Sequence, residues 1–288
     1  MKQLLILSGK GGTGKTTIAT SFIRLAQARA YADCDVEAPN LHLIYGNDKD
    51  LSEASYYAMP TAVVNADKCI SCGECERNCR FGAIKLVDGR AKVSVSECEG
   101  CSVCEYVCPA DAIEMKQLEA GKIMLYKGDT EVFSSARLNI GRGTSGKLVT
   151  EVKKNLRSNA THAELAIIDG SPGIGCPVVA SISGVDMVLI VAEPSISGIY
   201  DMKRIIDTAR SFNVRIAVCV NKYDLNEEKT REIEGYLKKE NINSVGRLPY
   251  DGEAVKSMNS GKCVIDGVSK LKDAIQDVFN KTMDILYE

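Results

Sequence analysis

Residues 9–16, with the sequence GKGGTGKT, give the clearest indication of the architecture of this 288-residue chain. They match the phosphate-binding pattern G-x-x-x-x-G-K-[ST], follow an apolar run at residues 4–7 and precede a helical pattern at residues 16–28. Glycines in such a loop let backbone N–H groups approach phosphate oxygens without interference from a Cβ atom. The sequence therefore predicts a strand, a nucleotide-binding loop and a helix, in this order.

Individual residues of this loop can be assigned roles from the chemistry of phosphate binding. Lys15 is expected to reach the β- and γ-phosphates, and the Thr16 hydroxyl is expected to bind Mg²⁺. The positive N-terminal end of the following helix favours the same anion. The other residues expected to contact the nucleotide are Gly11, Gly12, Thr13, Gly14 and Thr17.

Four later apolar runs each end at a polar residue, as is typical of parallel strands with ligands at their carboxyl ends. The runs and their polar residues are 30–32 with Asp33, 163–168 with Asp169, 186–192 with Glu193, and 215–220 with Asn221. Helical patterns separate these runs. The predicted fold class is therefore α/β, a P-loop NTPase with a mostly parallel sheet flanked by helices.

The cysteines form the second strong pattern. The chain has 12, and eight of them form the repeat C-x₂-C-x₂-C-x₃-C, at residues 69–79 and again 29 residues later at 98–108. This spacing resembles that of bacterial two-cluster ferredoxins, in which the fourth cysteine of each run binds the other [4Fe–4S] cluster. The resemblance implies one cluster on Cys69, Cys72, Cys75 and Cys108, and a second on Cys79, Cys98, Cys101 and Cys104.

Zinc and disulfides are the alternative uses of these thiols. Zinc sites usually pair two close ligands with two distant ones, whereas here three thiols fall within seven residues. A disulfide scaffold would be a short secreted chain, and the apolar run before the glycine loop is too short for a signal peptide. Arg80 replaces the Pro109 of the second repeat, and a cation there would raise the potential of the nearby cluster. The predicted domains are an ATPase domain at residues 1–59 and 117–288 and an inserted α+β ferredoxin-like domain at residues 60–116.

The string KGGTGKT at residues 10–16 resembles the deviant Walker A loop of the MinD/Mrp superfamily of P-loop ATPases, which is related to the nitrogenase iron protein. In that superfamily the early lysine, here Lys10, reaches across a nucleotide-sandwich dimer to the partner's phosphates. The resemblance therefore implies a homodimer that forms on ATP binding. Lys10, Lys15 and Asp35 are the residues that it assigns to catalysis.

Two acidic segments extend this resemblance. DCDVEAPN at residues 33–40 is similar to the superfamily's switch I, and DGSPG at residues 169–173 is similar to its Walker B and switch II segment. The resemblance implies that Asp35 orients the attacking water, and that Asp33 and Asp169 hold Mg²⁺ or its waters. A carboxylate at a strand end beside the γ-phosphate is where phosphoryl transfer needs such a group.

The sequence NKYD at residues 221–224 is compatible with two bases in the bound nucleotide, guanine and adenine. Many G-proteins read guanine with N-K-x-D, whereas in MinD/Mrp-like ATPases an asparagine here reads adenine together with a later proline-containing segment. RLPYD at residues 247–251 fits that segment, so Asn221, Pro249 and Tyr250 are expected to contact adenine. In the superfamily that residues 10–16 resemble, the loop with the early lysine goes with adenine specificity, so the resemblance implies ATP rather than GTP.

Three further features carry weaker predictions. Residues 141–146 match the dinucleotide pattern G-x-G-x-x-G, but residues 134–140 before them are predicted to be a poor buried strand, so a loop is expected. Cys176 lies seven residues after Asp169, where the nitrogenase iron protein has a cluster ligand, but no second ligand is identified. Residues 271–286 are predicted to form a helix that docks on the sheet and does not bind a membrane.

Charge and composition limit the partners. With 36 basic and 38 acidic residues, a formal net charge of −2, the chain lacks the electrostatic footprint of a nucleic-acid-binding or membrane-binding protein. No apolar stretch is long enough to span a bilayer, so a cytoplasmic protein without stable membrane insertion is expected.

Three functions fit these patterns. The first is an ATP-binding and ATP-hydrolysing iron–sulfur protein that transfers electrons to a redox partner under ATP control, with Mg²⁺ and two [4Fe–4S] clusters as cofactors. The second is an ATPase that assembles iron–sulfur or metal cofactors on an apo-metalloprotein. The third is a positioning ATPase similar to MinD.

Overall fold

The computed structural model describes residues 1–46, 49–267 and 270–288. The contacts between residues divide the chain into two units. The nucleotide unit comprises Met1–Glu53, Ile123–Ala136 and Gly146–Glu288, and the cysteine unit comprises Ala54–Lys122 and Arg137–Ser145. The cysteine unit thus takes in residues on both sides of the insertion that the sequence predicts.

The helices and strands, in chain order, are β1 (Lys2–Ser8), α1 (Lys15–Leu25), β2 (Ala30–Asp33), α2 (His42–Tyr45), β3 (Asp50–Tyr57), β4 (Thr61–Val64), α3 (Glu74–Asn78), β5 (Ile84–Val87), β6 (Arg90–Val93), α4 (Val103–Tyr106), β7 (Ile113–Lys116), β8 (Glu119–Lys127), β9 (Val132–Leu138), α5 (Ser145–Asn159), β10 (Leu165–Asp169), α6 (Cys176–Ile182), β11 (Met187–Ala192), α7 (Ile196–Arg210), β12 (Arg215–Asn221), α8 (Glu227–Lys239), β13 (Asn243–Leu248), α9 (Gly252–Asn259) and α10 (Leu271–Tyr287). Short 3₁₀ turns lie at Tyr223–Leu225 and Val264–Asp266. Among the described residues, none of the helices has the length and apolar character needed to cross a bilayer.

The main sheet has the strand order β13-β12-β11-β1-β10-β2-β9-β8-β3, and the strands from β13 to β9 pair in parallel. The prediction of an α/β fold with a mostly parallel sheet is confirmed. The register places Asp169 of β10 opposite both Ile6 of β1 and Asp33 of β2. Because parallel strands share one carboxyl edge, the polar residues after β1, β2, β10, β11 and β12 collect on one side of the nucleotide unit.

The core of the nucleotide unit lies between this sheet and its helices. The β1 residues Leu4, Leu5, Ile6 and Leu7 are fully buried, as expected for a strand covered on both faces. Helix α1 buries Ile18 and Phe22, and the ring of Phe22 contacts that of Phe279 in α10, with ring centroids 5.1 Å apart. Helix α10 buries an apolar stripe, which confirms the predicted docked helix; its residues are Leu271, Ile275, Val278 and Leu286.

One prediction about a strand is wrong. Residues 134–140 were expected to be a poor buried strand, yet β9 extends over Val132–Leu138 and its residues 133–136 are buried. The small side chains explain the difference. The Ser134 hydroxyl donates to the Val152 carbonyl of α5 at 2.9 Å, so this polar group has a hydrogen-bond partner although it is buried. Small polar residues can therefore replace apolar ones where a helix lies close to a strand.

The cysteine unit repeats its backbone as well as its sequence. Strand β4 pairs with β7, and β5 pairs with β6, both antiparallel. An offset of 29 residues relates β4 to β6, β5 to β7 and the start of α3 to that of α4. The same offset relates three pairs of residues with positive φ, namely Ser71 with Gly100, Gly73 with Ser102, and Gly82 with Asp111. The two halves therefore share one loop geometry.

Candidate functional site

A cleft of about 610 Å³ lies at the carboxyl edge of the parallel strands in the nucleotide unit. Its lining includes every loop residue that the sequence assigns to the nucleotide, namely Lys10, Gly11, Gly12, Thr13, Gly14, Lys15, Thr16 and Thr17. Asp35, Asn221, Pro249 and Tyr250 line it as well. The volume is within the range that small-molecule sites usually have, about 300–1,000 Å³.

Lys15, Thr16 and Asp169 form a buried hydrogen-bonded group beside this cleft. The Lys15 ammonium donates to Asp169 Oδ1 at 2.5 Å, and the Thr16 hydroxyl donates to Asp169 Oδ2 at 2.7 Å. Burial lowers the pKa of Lys15, but the carboxylates of Asp169, Asp33 and Asp35 outweigh that effect and the net pKa is raised. The lysine is therefore held in its charged form, and the hydroxyl and carboxylate oxygens are ligands of the kind that Mg²⁺ prefers.

Asp33 is fully buried and hydrogen-bonds the loop that follows it. Its Oδ1 accepts the Asp35 N–H at 3.0 Å, and its Oδ2 accepts the Asn40 and Leu41 N–H groups, both at 2.9 Å. Burial and the charge of Asp169 raise the pKa of Asp33 to about 7, against the opposing effects of Lys15 and the backbone donors. Asp33 thus shapes the 33–40 segment, and its contact with Mg²⁺ stays a prediction.

Asp35 lines the cleft, and its role toward an attacking water stays a prediction. It is half-buried, and its pKa is raised by burial although Lys15 lowers it. The neighbouring segment is joined to that of Asp169, because the buried Ser171 hydroxyl donates to the Cys34 carbonyl at 2.5 Å. The two acidic segments are therefore parts of one hydrogen-bonded structure.

Lys10 folds back onto its own chain. Its ammonium lies 3.2 Å from Glu193 Oε1, 3.4 Å from the Ser195 hydroxyl and 3.5 Å from the Ser197 hydroxyl. The other oxygen of Glu193 lies 3.4 Å from the ammonium of Lys222, which also donates to the Gly12 carbonyl at 2.8 Å. The role of Lys10 across a dimer stays a prediction.

The residues predicted to contact the base meet the loop from the other side. Asn221 Nδ2 donates to the Thr13 carbonyl at 2.6 Å, so this asparagine holds the glycine loop. Asp224 Oδ1 accepts the Tyr250 N–H at 2.8 Å, which joins residues 221–224 to residues 247–251. The Asn221 Oδ1 also accepts the Lys222 N–H at 3.0 Å, and which base these residues contact stays a prediction.

Each of the two predicted sets of four cysteines lines its own cavity in the cysteine unit. The first cavity is lined by Cys69, Cys72, Cys75 and Cys108, and the second by Cys79, Cys98, Cys101 and Cys104. Both are much smaller than the nucleotide cleft, so neither has room for an extended cofactor. The fourth cysteine of each run therefore joins the other run's cavity.

The two cavities also match in the burial of their cysteines. The second cysteine of each run is exposed, the third is buried, and the first and fourth are half-buried. In the first cavity backbone N–H groups point at sulfur, since Ala112 donates to Cys108 Sγ at 3.3 Å and the N–H groups of Ala91 and Ser71 lower the pKa of Cys69, whereas burial raises the pKa of Cys75. In the second cavity burial raises the pKa of Cys104 to about 11. Thiolates with N–H donors are the environment of protein iron–sulfur clusters, so the donor set fits such a group. In the described ranges, no three histidine, cysteine or acidic side chains converge closely enough to hold a single metal ion.

The model of the CobQ/CobB/MinD/ParA nucleotide-binding domain (CbiA) matches residues 4–264. The chain belongs to this family. A further similarity is to the "Uncharacterized protein MJ0578" of Methanocaldococcus jannaschii, which is 34% identical over 99% of this chain and 97% of that protein. A second protein of the same organism, "Uncharacterized protein MJ0579", is 30% identical over 97% of this chain and 98% of its own length.

Solved structures of the CobQ/CobB/MinD/ParA type share the fold. The cell-division protein MinD of Pyrococcus horikoshii, complexed with Mg-ADP, has a TM-score of 0.58 at 17% identity, covering 98% of this chain and 95% of that one. MinD of Aquifex aeolicus in the MinC:MinD complex has a TM-score of 0.57 at 18% identity, covering 99% and 96%. The McdA(D38A)–ATP complex of Cyanothece has a TM-score of 0.58 at 16% identity, covering 100% and 96%. At these identities the likeness shows the fold alone.

Sequence reasoning missed two groups in this CobQ/CobB/MinD/ParA-family site. Glu193 and Lys222 contact the loop lysine and the loop backbone, and the only signal was that both follow strands that end at the same edge. Helix α9 lines the apolar side of the cleft through Ala254, Val255 and Met258, and nothing in its spacing indicated this. Cys176 is exposed at the start of α6, and among the described residues it belongs to no group of three or more histidine, cysteine or acidic side chains that could hold a metal ion.

Proposed function

We propose that this chain is a Mg²⁺-dependent ATPase that works as a MinD-type switch and dimerises when ATP binds. The observation that carries the proposal is the buried group of Lys15, Thr16 and Asp169 beside a cleft lined by the glycine loop. Membership of the CobQ/CobB/MinD/ParA family supports it. The choice of adenine as the base rests on the resemblance of residues 10–16 and 247–251 to the superfamily's segments.

Each residue would act on ATP through its own chemistry. Lys15 would neutralise phosphate charge, and Asp35 would orient the attacking water from the rim of the cleft. Thr16 and Asp169 would hold Mg²⁺, which supplies further stabilisation of the negative charge that develops during phosphoryl transfer. Lys10 would leave its own chain and bind the partner's phosphates.

The test is ATP turnover and dimerisation in the same preparation. We expect Mg²⁺-dependent hydrolysis, a dimer with a non-hydrolysable ATP analogue, and a loss of turnover of about 100-fold or more in Lys15→Ala. Lys10→Ala should abolish the dimer but keep nucleotide binding to the monomer. The exposed Lys281→Ala is the matched control, and turnover that Lys15→Ala leaves unchanged would contradict the proposal.

The paired cysteine cavities favour a second function, ATP-gated electron transfer to a redox partner protein. Two [4Fe–4S] clusters, held by the two sets of four thiols, would supply one-electron transfer. The family and its solved structures fit a MinD-like positioning ATPase better than an electron carrier. Electron transfer is therefore proposed from the cavities alone, and assembly of metal cofactors on an apo-protein is the related alternative.

Anaerobic purification separates these functions. About eight iron atoms per chain, with a reduction potential that shifts when an ATP analogue binds, would support gated electron transfer. Clusters that move readily to an apo-protein would support assembly. The double variant Cys69→Ser/Cys98→Ser, with the buried Cys263→Ser as control, should keep ATP-dependent dimerisation if positioning is the function. Iron-free protein with normal ATP turnover would contradict both electron transfer and cofactor assembly, and would support the positioning ATPase.

A further inference from the structure

The Glu193 carboxylate lies between two lysines, Lys10 of the glycine loop and Lys222, which contacts the backbone of that loop. Its Oε1 lies 3.2 Å from the ammonium of Lys10, and its Oε2 lies 3.4 Å from that of Lys222. Lys222 in turn holds the Gly12 carbonyl at 2.8 Å. A single side chain therefore restrains both the early loop lysine and a cation bound to the loop backbone.

The position of Glu193 is fixed by close backbone packing. It follows β11 directly, and a Cβ at Gly198 would lie 2.3 Å from the Glu193 carbonyl oxygen. A Cβ at Gly9 would lie 2.1 Å from Cβ of Asp201, so the start of the loop is pressed against helix α7. The Ser195 hydroxyl caps α7 by accepting the Gly198 N–H at 3.1 Å and also lies near Lys10. Glu193 and Lys10 thus meet on two backbone segments with little freedom to move apart.

We propose that Glu193 is a latch that holds Lys10 against its own chain until ATP and a second copy of the protein are present. This inference rests on the proposed dimerising ATPase and assigns it a positioning residue. Lys10 has to give up Glu193 and two hydroxyls before it can bind phosphates in a partner. ATP carries more negative charge than one carboxylate, so the phosphates of a partner's site can compete for the lysine.

The strength of the latch suits a reversible switch. The side chains of Lys10 and Glu193 are 36% and 20% exposed, so the ion pair is neither fully solvated nor deeply buried. Pairs of this kind contribute modestly to stability because water screens them. Removing the carboxylate charge should therefore favour the dimer by a small factor and leave the fold intact.

The experiment compares dimerisation of variants by sedimentation velocity against the concentration of a non-hydrolysable ATP analogue. Glu193→Gln is expected to reach half-dimerisation at a concentration about three- to fivefold lower than the wild type. The affinity of the monomer for ADP should change by a smaller factor than the dimerisation midpoint does, because Glu193 itself does not line the cleft. Glu240→Gln, which removes a carboxylate paired with Arg210 at 3.0 Å at the far end of α7, is the matched control and should behave as the wild type.

Further variants separate a latch on Lys10 from an effect that Glu193 exerts through Lys222. Lys222→Met removes the second arm together with its bond to the Gly12 carbonyl and leaves the pair of Glu193 and Lys10 in place, so a shift equal to that of Glu193→Gln would overturn the latch on Lys10. If Glu193→Gln loses stability, Ser197→Ala removes another Lys10 contact and should shift dimerisation in the same direction by less. No shift in either variant, while Lys10→Ala abolishes the dimer, would overturn the latch alone. A Lys10→Ala protein that dimerises normally would instead contradict the proposed function.

Discussion

The nucleotide cleft draws its lining from segments spread between Ser8 and Ile275, whereas each cysteine cavity is built within residues 64–115. Both sites use loops with positive φ, at Gly12 and Gly14 in one and at Gly73 and Ser102 in the other. The cleft, however, depends on contacts between residues that are far apart in sequence, such as that of Asn221 with Thr13. The cysteine cavities depend on a short pattern that occurs twice.

This difference determines what each site shows in its sequence. A repeated spacing carries its own geometry, because the same loop conformation recurs after 29 residues. A cleft assembled by a parallel sheet shows in the sequence only where each strand ends, and the partners across the edge follow from strand order. Variants of residues that contact distant parts of the sequence therefore test how far each site depends on such long-range contacts.

The largest effect, a loss of iron, is expected from variants of the cysteines, because each cavity combines cysteines from both runs. If Cys75 and Cys108 serve one cluster, each single serine variant should lose about half of the iron, and the double variant should lose no more. Cys75→Ser/Cys79→Ser should lose nearly all of it, because it damages both sites. Iron per chain and electron paramagnetic resonance after anaerobic purification measure this. Equal iron loss in the two double variants would contradict the crossed arrangement.

A smaller effect is expected from Lys153, which anchors the helix after the 169–175 segment. Its buried ammonium donates to the carbonyls of Ala180, Ser181 and Ser183 at 3.2, 2.5 and 2.6 Å. Lys153→Met should lower the free energy of unfolding by about 2–3 kcal/mol, because the carbonyls lose a charged donor. The neighbouring Lys154 is 73% exposed, so Lys154→Met in the same urea titration should change it by less than about 0.5 kcal/mol. Similar losses in the two variants would contradict this anchor.

The smallest effect concerns the pH dependence of the same lysine. Burial, together with the charge of Arg157, lowers the pKa of Lys153 to about 8, below its ordinary value of 10.5. Between these values the unfolded chain binds a proton that the folded chain does not, so stability should rise with pH from about 8 to about 10.5. The unfolding free energy of the wild type, relative to Lys153→Met, should increase by roughly 1–2 kcal/mol between about pH 8 and about pH 9.5. A flat difference would show that the lysine stays charged.

Much of the fold and of the nucleotide site could be predicted because the signals are local. The glycine loop and the carboxyl ends of β2, β10 and β12 lie where the apolar runs indicated. Strand β9 could not be predicted, because Ser134 and Ser135 look polar until α5 supplies a partner for the Ser134 hydroxyl. Glu193 was visible only as the residue after a strand, since its two lysines come from other segments.

The hydrogen bond from Ser171 to the Cys34 carbonyl has a mechanical consequence. It joins the loop after β10 to the loop after β2, and both atoms are shielded from water, so no solvent molecule replaces the bond cheaply if it breaks. A ligand that displaces one of these loops must either move the other loop with it or break this hydrogen bond. The two acidic loops should therefore change position together, at the same nucleotide concentration, when a terminal phosphate binds.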